Sequence, residues 1–435
     1  MRAFSACALP KIRAPCGMIS RRPLGPLHSG AALDTFTAMP HTAVIFGRDV
    51  QESVGALVKR FGGSRVLVHY GRQNVTDPGL LDQIRHSFEE HGIEHTELGG
   101  VLKNSRLSTV EEGIKACRSF EADFVLAVGG GSVVNSAKAV AAGALWDGDL
   151  RHLFESGAEP LALPLGVIVT VPGSGDELSG SCTVSEARSD GGRGVRLYDL
   201  HSEFLYPKFA VCNPALVTSF PKHLGISFVN IFVKLAEDYF TSTRCGELSD
   251  AICEGSLRVT VEMLQRLRQD PHDYDALSNL MWSGVLAYSE YALGAKQNQA
   301  LERLEHAVTS VLDCAHGKSV GLLFPAWLEF VMPANAGRIA RFAQKVFGLP
   351  HDGSDALAVA QEGLAKIRTL FKSLGMPSTF EELGGQSGDL RLIMEALNLG
   401  PEETIGNFTP LNRIDCEALL SLILISKAEH PSGLA

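Results

Sequence analysis

The feature that most constrains this chain is an apolar run that ends abruptly on glycine. Phe124-Val125-Leu126-Ala127-Val128 is β-rich and uninterrupted, Gly129-Gly130-Gly131-Ser132 follows directly, and Ser136 to Ala144 is an alanine-rich, helix-forming stretch. Strand, glycine turn and helix in that order bring the backbone N–H groups of a helix N-terminus to a point where an anionic oxygen can meet them, and glycine lets a phosphate come close to the backbone. A tight strand-to-helix turn also needs glycine, so the loop alone leaves a phosphate cradle and a plain turn both open.

The neighbouring sequence repeats the pattern. Residues 40 to about 217 alternate short β-rich runs with amphipathic stretches, the order expected of helices packed around a mainly parallel sheet. Arg65-Val66-Leu67-Val68-His69-Tyr70 predicts a strand stopping at Gly71, and Gly79 to Gly92 a helix with Leu80, Leu81, Ile84 and Phe88 on one face. A loop around Gly99-Gly100 follows, then a helix from Ser108 to Phe120 opened by the capping pattern Ser108-x-x-Glu111. Leu165 to Val171 predicts a further strand, stopped by Pro172-Gly173-Ser174-Gly175. From about Thr218 helical patterns dominate: Ala251 to Gln269, Tyr274 to Leu293, Gln299 to Cys314, Ala336 to Phe347 and Ser354 to Leu374. The reading is an α/β N-terminal domain over residues 39–217, Rossmann-like with a mainly parallel sheet, followed by an all-α domain over residues 218–435.

Residues 1–38 stand apart. They carry Arg2, Lys11, Arg13, Arg21 and Arg22 with no acidic residue before Asp34, which resembles an organelle transit peptide; a disordered extension, or a true start at Met39 rather than Met1, fits equally. A cytoplasmic location is expected, or an organelle such as the mitochondrion if the segment is a transit peptide. The net charge of -10 argues against a nucleic-acid partner or an anionic membrane surface. No apolar run approaches the roughly 20 residues that span a bilayer. The nine cysteines include no CxxC pair, so neither a disulfide framework nor a structural zinc site is indicated.

The run from Val125 through Gly129-Gly130-Gly131-Ser132-Val133-Val134-Asn135-Ser136-Ala137-Lys138 resembles the signature GGGSxxDxxK of the iron-dependent alcohol dehydrogenases, in particular the branch of butanol dehydrogenases and broad-range aldehyde reductases. Gly79 to Gln83, Gly99-Gly100-Val101, Arg106 to Val110, Ser202 to Pro214 and Phe220-Pro221 match that branch in the same order, so the resemblance covers about residues 40–430. It implies a dehydroquinate synthase-like fold: a dinucleotide-binding α/β domain, a helical domain, and a cleft where hydride passes between a nicotinamide and a carbonyl or alcohol. It also implies a homodimer or larger assembly.

In that family an Asp and a His on one helix and two further His hold a divalent metal. The motif DAxxHxxEqY falls here on Asn230 to Tyr239, with Asn230 for the Asp and Lys234 for the His; the second pair, fourteen residues apart, falls on Glu302 and His316. Asn230 is a weak neutral ligand and a protonated Lys234 would repel a dication, so the resemblance predicts that metal is not held in the family's way. A rearranged site from Glu302, His306 and His316 stays open, because Glu302 and His306 share a helix face at i, i+4. The sharper expectation is metal-independent chemistry: Lys234 as electrophile or proton donor toward the substrate oxygen, Glu302 opposite it, and His306 or His316 in a proton relay. Alternatively, Lys234 and Glu302 merely pair off in a relic cavity.

The dinucleotide site is expected to comprise Gly71, Arg72, Asn74, Gly129, Gly130, Gly131, Ser132, Asn135, Lys138, Thr170, Pro172 and Ser174. The family's TxPxTGSE is Thr170-Val171-Pro172-Gly173-Ser174-Gly175-Asp176-Glu177 here, and Asn135 and Asn213 stand where the family has Asp. Arg72, in the turn Gly71-Arg72-Gln73-Asn74, is placed to pair with a 2′-phosphate, which favours NADP over NAD. The expected reaction partner is a small carbonyl, alcohol or imine. The rival reading is a catalytically inactive dinucleotide-binding or regulatory homologue; a lyase of the dehydroquinate-synthase type, which also relies on metal, has no feature in its favour.

Overall fold

The computed structural model describes residues 40–71, 78–157, 159–188, 192–217, 224–242, 246–289, 298–350, 355–386 and 388–424. Residues 1–38, Arg72, Asn74 and Phe220-Pro221 lie outside them.

The N-terminal unit is built on a six-stranded parallel sheet: β1 (Ala43–Phe46), β2 (Arg65–Gly71), β3 (Glu94–Val101), β4 (Phe124–Gly129), β5 (Leu165–Val169) and, after an excursion, β8 (Phe209–Cys212). The spatial order is β1-β8-β5-β4-β2-β3. Side chains alternate faces along a strand, and both faces are buried. Val66, Val68, Phe124, Leu126 and Val128 pack with α1 (Val54–Arg60) and α2 (Pro78–Glu90). Leu67, Val125 and Ala127 pack with α3 (Leu107–Phe120) and α4 (Gly131–Ala144). The chain leaves β2 for β3 on one side and returns to β4 on the other, so the sheet's switch point lies at the C-terminal ends of β2 and β4, at Gly71 and Gly129. In open parallel sheets that is where ligands bind.

After α5 (Leu150–Glu155) and β5, an antiparallel hairpin of β6 (Ser181–Ala187) and β7 (Val195–His201) stands beside the sheet. The remaining described elements are helical: α6 (Leu224–Tyr239), α7 (Gly246–Gln269), α8 (Tyr274–Ala287), α9 (Ala300–Leu312), α10 (His316–Phe347), α11 (Ala356–Ser373), α12 (Asp389–Leu397) and α13 (Arg413–Leu424). Their core is aromatic, with Phe228, Phe232, Phe240, Phe324, Trp327 and Phe342 all buried. Among the described residues no helix is long and apolar enough to cross a membrane.

Several local expectations are corrected. Gly99 and Gly100 lie inside β3 rather than in a loop: they form an irregularity between the pairs Leu98–His69 and Val101–Gly71, after which the ladder with β2 resumes. Ser108 is inside α3; the capping position is Arg106, which makes no side-chain cap because a guanidinium carries donors only, and it bonds Ser185 and Asp313 instead. The helix after the glycine loop starts at Gly131, five residues before Ser136. The helical stretch of α10 from His316 was not expected, whereas the stretch from Ala336 to Phe347 was: the two meet at a kink at Asn335, whose backbone is non-helical, Pro325 and Pro333 sit inside the first, and the Asn335 side chain donates to the Val331 carbonyl at 2.9 Å. Burial of that helix's apolar side outweighs the lost backbone bonds. The β6–β7 hairpin was not expected at all.

Candidate functional site

The glycine loop lies at the switch point, and its glycines are required by space rather than by backbone angle. A Cβ on Gly131 would lie 2.7 Å from Ser174 Cβ and 2.5 Å from Asp176 Oδ2, so the segment after β5 closes directly over the start of α4. The first N–H groups of a helix have no carbonyl of their own helix to bond, so this end offers donors to an anion. Thr170 continues β5, its N–H bonding the Gly129 carbonyl at 3.0 Å, while its buried hydroxyl has no partner among the described residues. Pro172 is buried, and Ser174 Oγ is 3.5 Å from Glu177 Oε2.

Three polar side chains fix α4. His69 on β2 is fully buried; its Nδ1 donates to the Leu98 carbonyl at 2.9 Å, leaving Nε2 to accept from the Ser136 hydroxyl at 2.8 Å. Burial lowers its pKa to about 4, so the ring is neutral. Lys138, expected to touch cofactor, is also fully buried and donates to the carbonyls of Ser179 at 2.6 Å and Ser181 at 2.8 Å. It clamps the closing segment to α4 from behind, and burial pulls its pKa down. Asn135 accepts from the Thr183 N–H at 3.1 Å and donates to Asp176. The Asp176 carboxyl is raised by burial, against the opposing pull of Lys138, Ser174, Asn135 and His316.

The opposite wall belongs to the helical unit. Gly175, at φ +75°, has no room for a side chain because a Cβ would lie 2.0 Å from the Tyr288 ring. The Tyr288 hydroxyl reaches the Gly173 carbonyl at 3.3 Å, and Lys234 Nζ sits 5.7 Å from the centre of the same ring. Lys234 is buried on α6 and donates to Asp238 Oδ1, one turn later, at 3.3 Å. Its expected partner, Glu302, is exposed instead. The i, i+4 spacing on one helix brings Asp238 to the ammonium without ordering a second element. On the same helix, the buried Asn230 Oδ1 and Glu237 Oε1 have no hydrogen-bond partner among the described residues. Burial raises the Glu237 carboxyl to about 7; the nearby Asp238 and Glu302 charges push it the same way, and Lys234 and His316 oppose them.

His316 opens α10, and its imidazole is half exposed in the cleft. Its Nδ1 is 3.0 Å from Oε2 of Glu305, a buried residue on α9. Burial works against a charge on His316, yet Glu305, with help from Asp176 and Glu302, lifts its pKa to about 9. Glu305 is held ionised, down to about 2, against the cost of burial. His306 is partly exposed with Nδ1 4.0 Å from Asp199 Oδ2 on β7. The turn before His316 is clasped by the other unit: Arg106 bonds Asp313 at 2.5 Å, and the Asn104 amide bonds Asp313 at 2.8 Å and the Cys314 carbonyl at 3.0 Å.

Contacts through Ser174, Asp176 and Tyr288 therefore link the glycine loop, the segment after β5, Lys234 and His316 where the two units meet, with Glu302 and His306 on the same helix as Glu305. Gly71 ends β2 beside Val133, its Cβ position 3.3 Å from Val133 Cγ2. Sequence reasoning missed Asp238, Tyr288 and Glu305. For Glu305 a signal existed: an acid between Leu301, Leu304 and Val308 on an apolar helix face, one turn before Thr309.

Two family models match the chain: Iron-containing alcohol dehydrogenase over residues 41–214 and Fe-containing alcohol dehydrogenase family, C-terminal, over residues 226–424. The probable NADH-dependent butanol dehydrogenase 1 of Bacillus subtilis is 31% identical over 396 residues, covering 90% of this chain and 100% of the relative. The NADPH-dependent aldehyde reductase YqhD of Escherichia coli is 25% identical over 371 residues, covering 84% of this chain and 93% of that protein. The crystal structure of NADH-dependent butanol dehydrogenase A from Thermotoga maritima superimposes with a TM-score of 0.82 at 32% identity, covering 90% of this chain and 99% of the other.

Proposed function

This chain belongs to the iron-containing alcohol dehydrogenase family, and from that premise we propose that it is an NAD(P)-dependent oxidoreductase interconverting an alcohol with an aldehyde or ketone, or reducing a related C=N group, without a metal. The observation that carries the metal-free part is the buried Lys234 ammonium bound to Asp238 at 3.3 Å, at the position where the family resemblance puts a metal-binding His. The surrounding donors suit a dication poorly. Among the described residues no three His, Cys, Asp or Glu side chains gather in a metal-holding group, Asn230 offers one neutral oxygen, and a fixed cation already stands among them.

The glycine loop and the N-terminus of α4 suit a pyrophosphate, and a bound nicotinamide supplies the hydride. The chain's own residues handle the oxygen. Lys234 has three N–H donors; one goes to Asp238, and the others are available to a substrate oxygen as negative charge develops on it, the kind of stabilisation that in dry sites is worth several kcal/mol. The Tyr288 ring covers the ammonium and keeps water from one side of it. His316 supplies the proton that completes the alcohol, and His306, beside Asp199 at the rim, passes it inward from solvent. Preference for NADP rests on Arg72, next to Gly71; the two Bacillus subtilis and two Clostridium acetobutylicum relatives are named NADH-dependent, so that preference would set this chain apart from them.

A panel of aldehydes, ketones and cyclic imines with NADPH or NADH tests the reading, run on wild type and Lys234→Ala. Turnover by the wild type and loss of at least about 100-fold in kcat for the variant are expected. A second reading, an inactive dinucleotide-binding or regulatory homologue, draws on the same ion pair, since Lys234 already has a counter-ion. Dinucleotide binding with no turnover on any substrate would favour it and refute the first.

A further inference from the structure

Glu305 is an expensive residue to bury. It sits on α9 among Leu301, Leu304 and Val308 and is 2% exposed. A carboxylate in such surroundings persists only when it is paired and its oxygens are saturated with donors. Here they are. Oε1 accepts from Thr309 Oγ1 at 2.5 Å and Ser319 Oγ at 2.8 Å, and Oε2 faces His316 Nδ1 at 3.0 Å. Thr309 lies one turn on along α9, whereas Ser319 and His316 both lie on the first turn of α10. The Ser319 hydroxyl also lies 2.8 Å from the His316 carbonyl. Two hydroxyls thus fix the carboxylate, and the carboxylate fixes the ring.

The consequence falls on the other ring nitrogen. With Nδ1 turned inward to a buried acceptor and half of the side chain exposed to the cleft, Nε2 is the nitrogen left to face the cleft. Which nitrogen is free is decided by the bond its partner makes. We propose that Glu305 is the positioning residue of this site, holding His316 with Nε2–H directed at the substrate oxygen through the carboxylate–imidazole bond across the α9–α10 junction. The inference rests on the reductase reading given above. It also replaces Glu302, the acid that the family resemblance singles out, with the acid that reaches the histidine.

A double-mutant cycle tests it. Glu305→Gln keeps the shape and removes the acceptor charge; it should lower kcat about 10- to 100-fold and leave the KM for the dinucleotide unchanged. His316→Gln should lower kcat about 100-fold or more. In the His316→Gln background the Glu305→Gln change should cost nothing further, because Glu305 acts only through the ring. Additive losses, or a raised dinucleotide KM, would overturn the proposal. Should Glu305→Gln fail to fold, Glu305→Asp, with the charge kept and the reach shortened, carries the same cycle. If the wild type reduces no substrate in the panel, the reductase reading fails by itself. The ¹⁵N side-chain spectrum of His316 then decides the positioning: an Nδ1–H signal present in wild type and lost in Glu305→Gln supports it, and an identical spectrum in both overturns it.

Discussion

Acid should loosen the phosphate helix through His69, and the size of the effect can be worked from the structure. The neutral ring joins β2, β3 and α4 by donating to Leu98 and accepting from Ser136. A proton on Nε2 would remove the acceptor that Ser136 needs and place an unpaired charge in a fully buried site. The native pKa is about 4 against an ordinary 6.5. The group is depressed on folding, so its contribution is fully present above about pH 6.5 and is lost as pH falls toward 4, where the unfolded chain takes up the proton first. Linkage across that interval gives a loss of about 2 kcal/mol between about pH 7.5 and pH 5, and about 3 kcal/mol by pH 4. Other carboxyls titrate in the same range, so the readout is a difference. Urea unfolding free energies are measured at both pH values for wild type and His69→Gln. The wild type should lose about 2 kcal/mol more than the variant, and its dinucleotide affinity should fall in parallel. Equal losses in the two proteins would refute the assignment of a buried neutral histidine to α4.

Gly131→Ala should weaken dinucleotide binding at least about tenfold and cost about 1–3 kcal/mol of stability, because Ser174 Cβ, 2.7 Å from the new methyl, is backbone-anchored and cannot swing aside; fluorescence titration with NADPH and thermal unfolding read both effects. Asp238→Asn leaves the Lys234 ammonium buried without its counter-ion and should destabilise the fold by about 3–5 kcal/mol, with Lys234→Met/Asp238→Asn recovering most of that loss in urea unfolding. Arg72→Ala should raise the KM for NADPH while leaving that for NADH unchanged; equal changes for the two would remove Arg72 from 2′-phosphate recognition.

The layered α/β frame was legible because its cause is local. A short, β-rich apolar run such as Phe124 to Val128, stopped by three glycines, reads as a strand buried on both faces with the turn marked after it. The β6–β7 hairpin was not legible, since Ser181 to Ala187 mixes polar and small residues whose pairing is decided by the partner strand. The part of α10 before Asn335 was not legible, since proline normally ends a helix, and only the tertiary burial of Trp327, Phe324 and Leu328 explains its persistence through Pro325. At the site, Lys234 and His316 were found by position in a known pattern, but their partners were not. Glu302 lies three residues from Glu305, about 60° around the helix from it, and that rotation at the edge of the apolar face separates an exposed acid from a buried one. Asp238 could have been read from its i, i+4 spacing to Lys234, whereas Tyr288 against Gly175 depends on a contact across more than a hundred residues of chain.

Whether the Lys234 ammonium stands in for a metal, as proposed, is read from the rate of NADPH- or NADH-dependent reduction by protein dialysed against EDTA, with metal content determined on the same sample. An unchanged rate at less than about 0.1 metal ion per chain, with no gain on adding iron or zinc, is the expected result if Lys234 already provides the charge. A rate that collapses on dialysis and returns with a divalent metal would contradict the proposal.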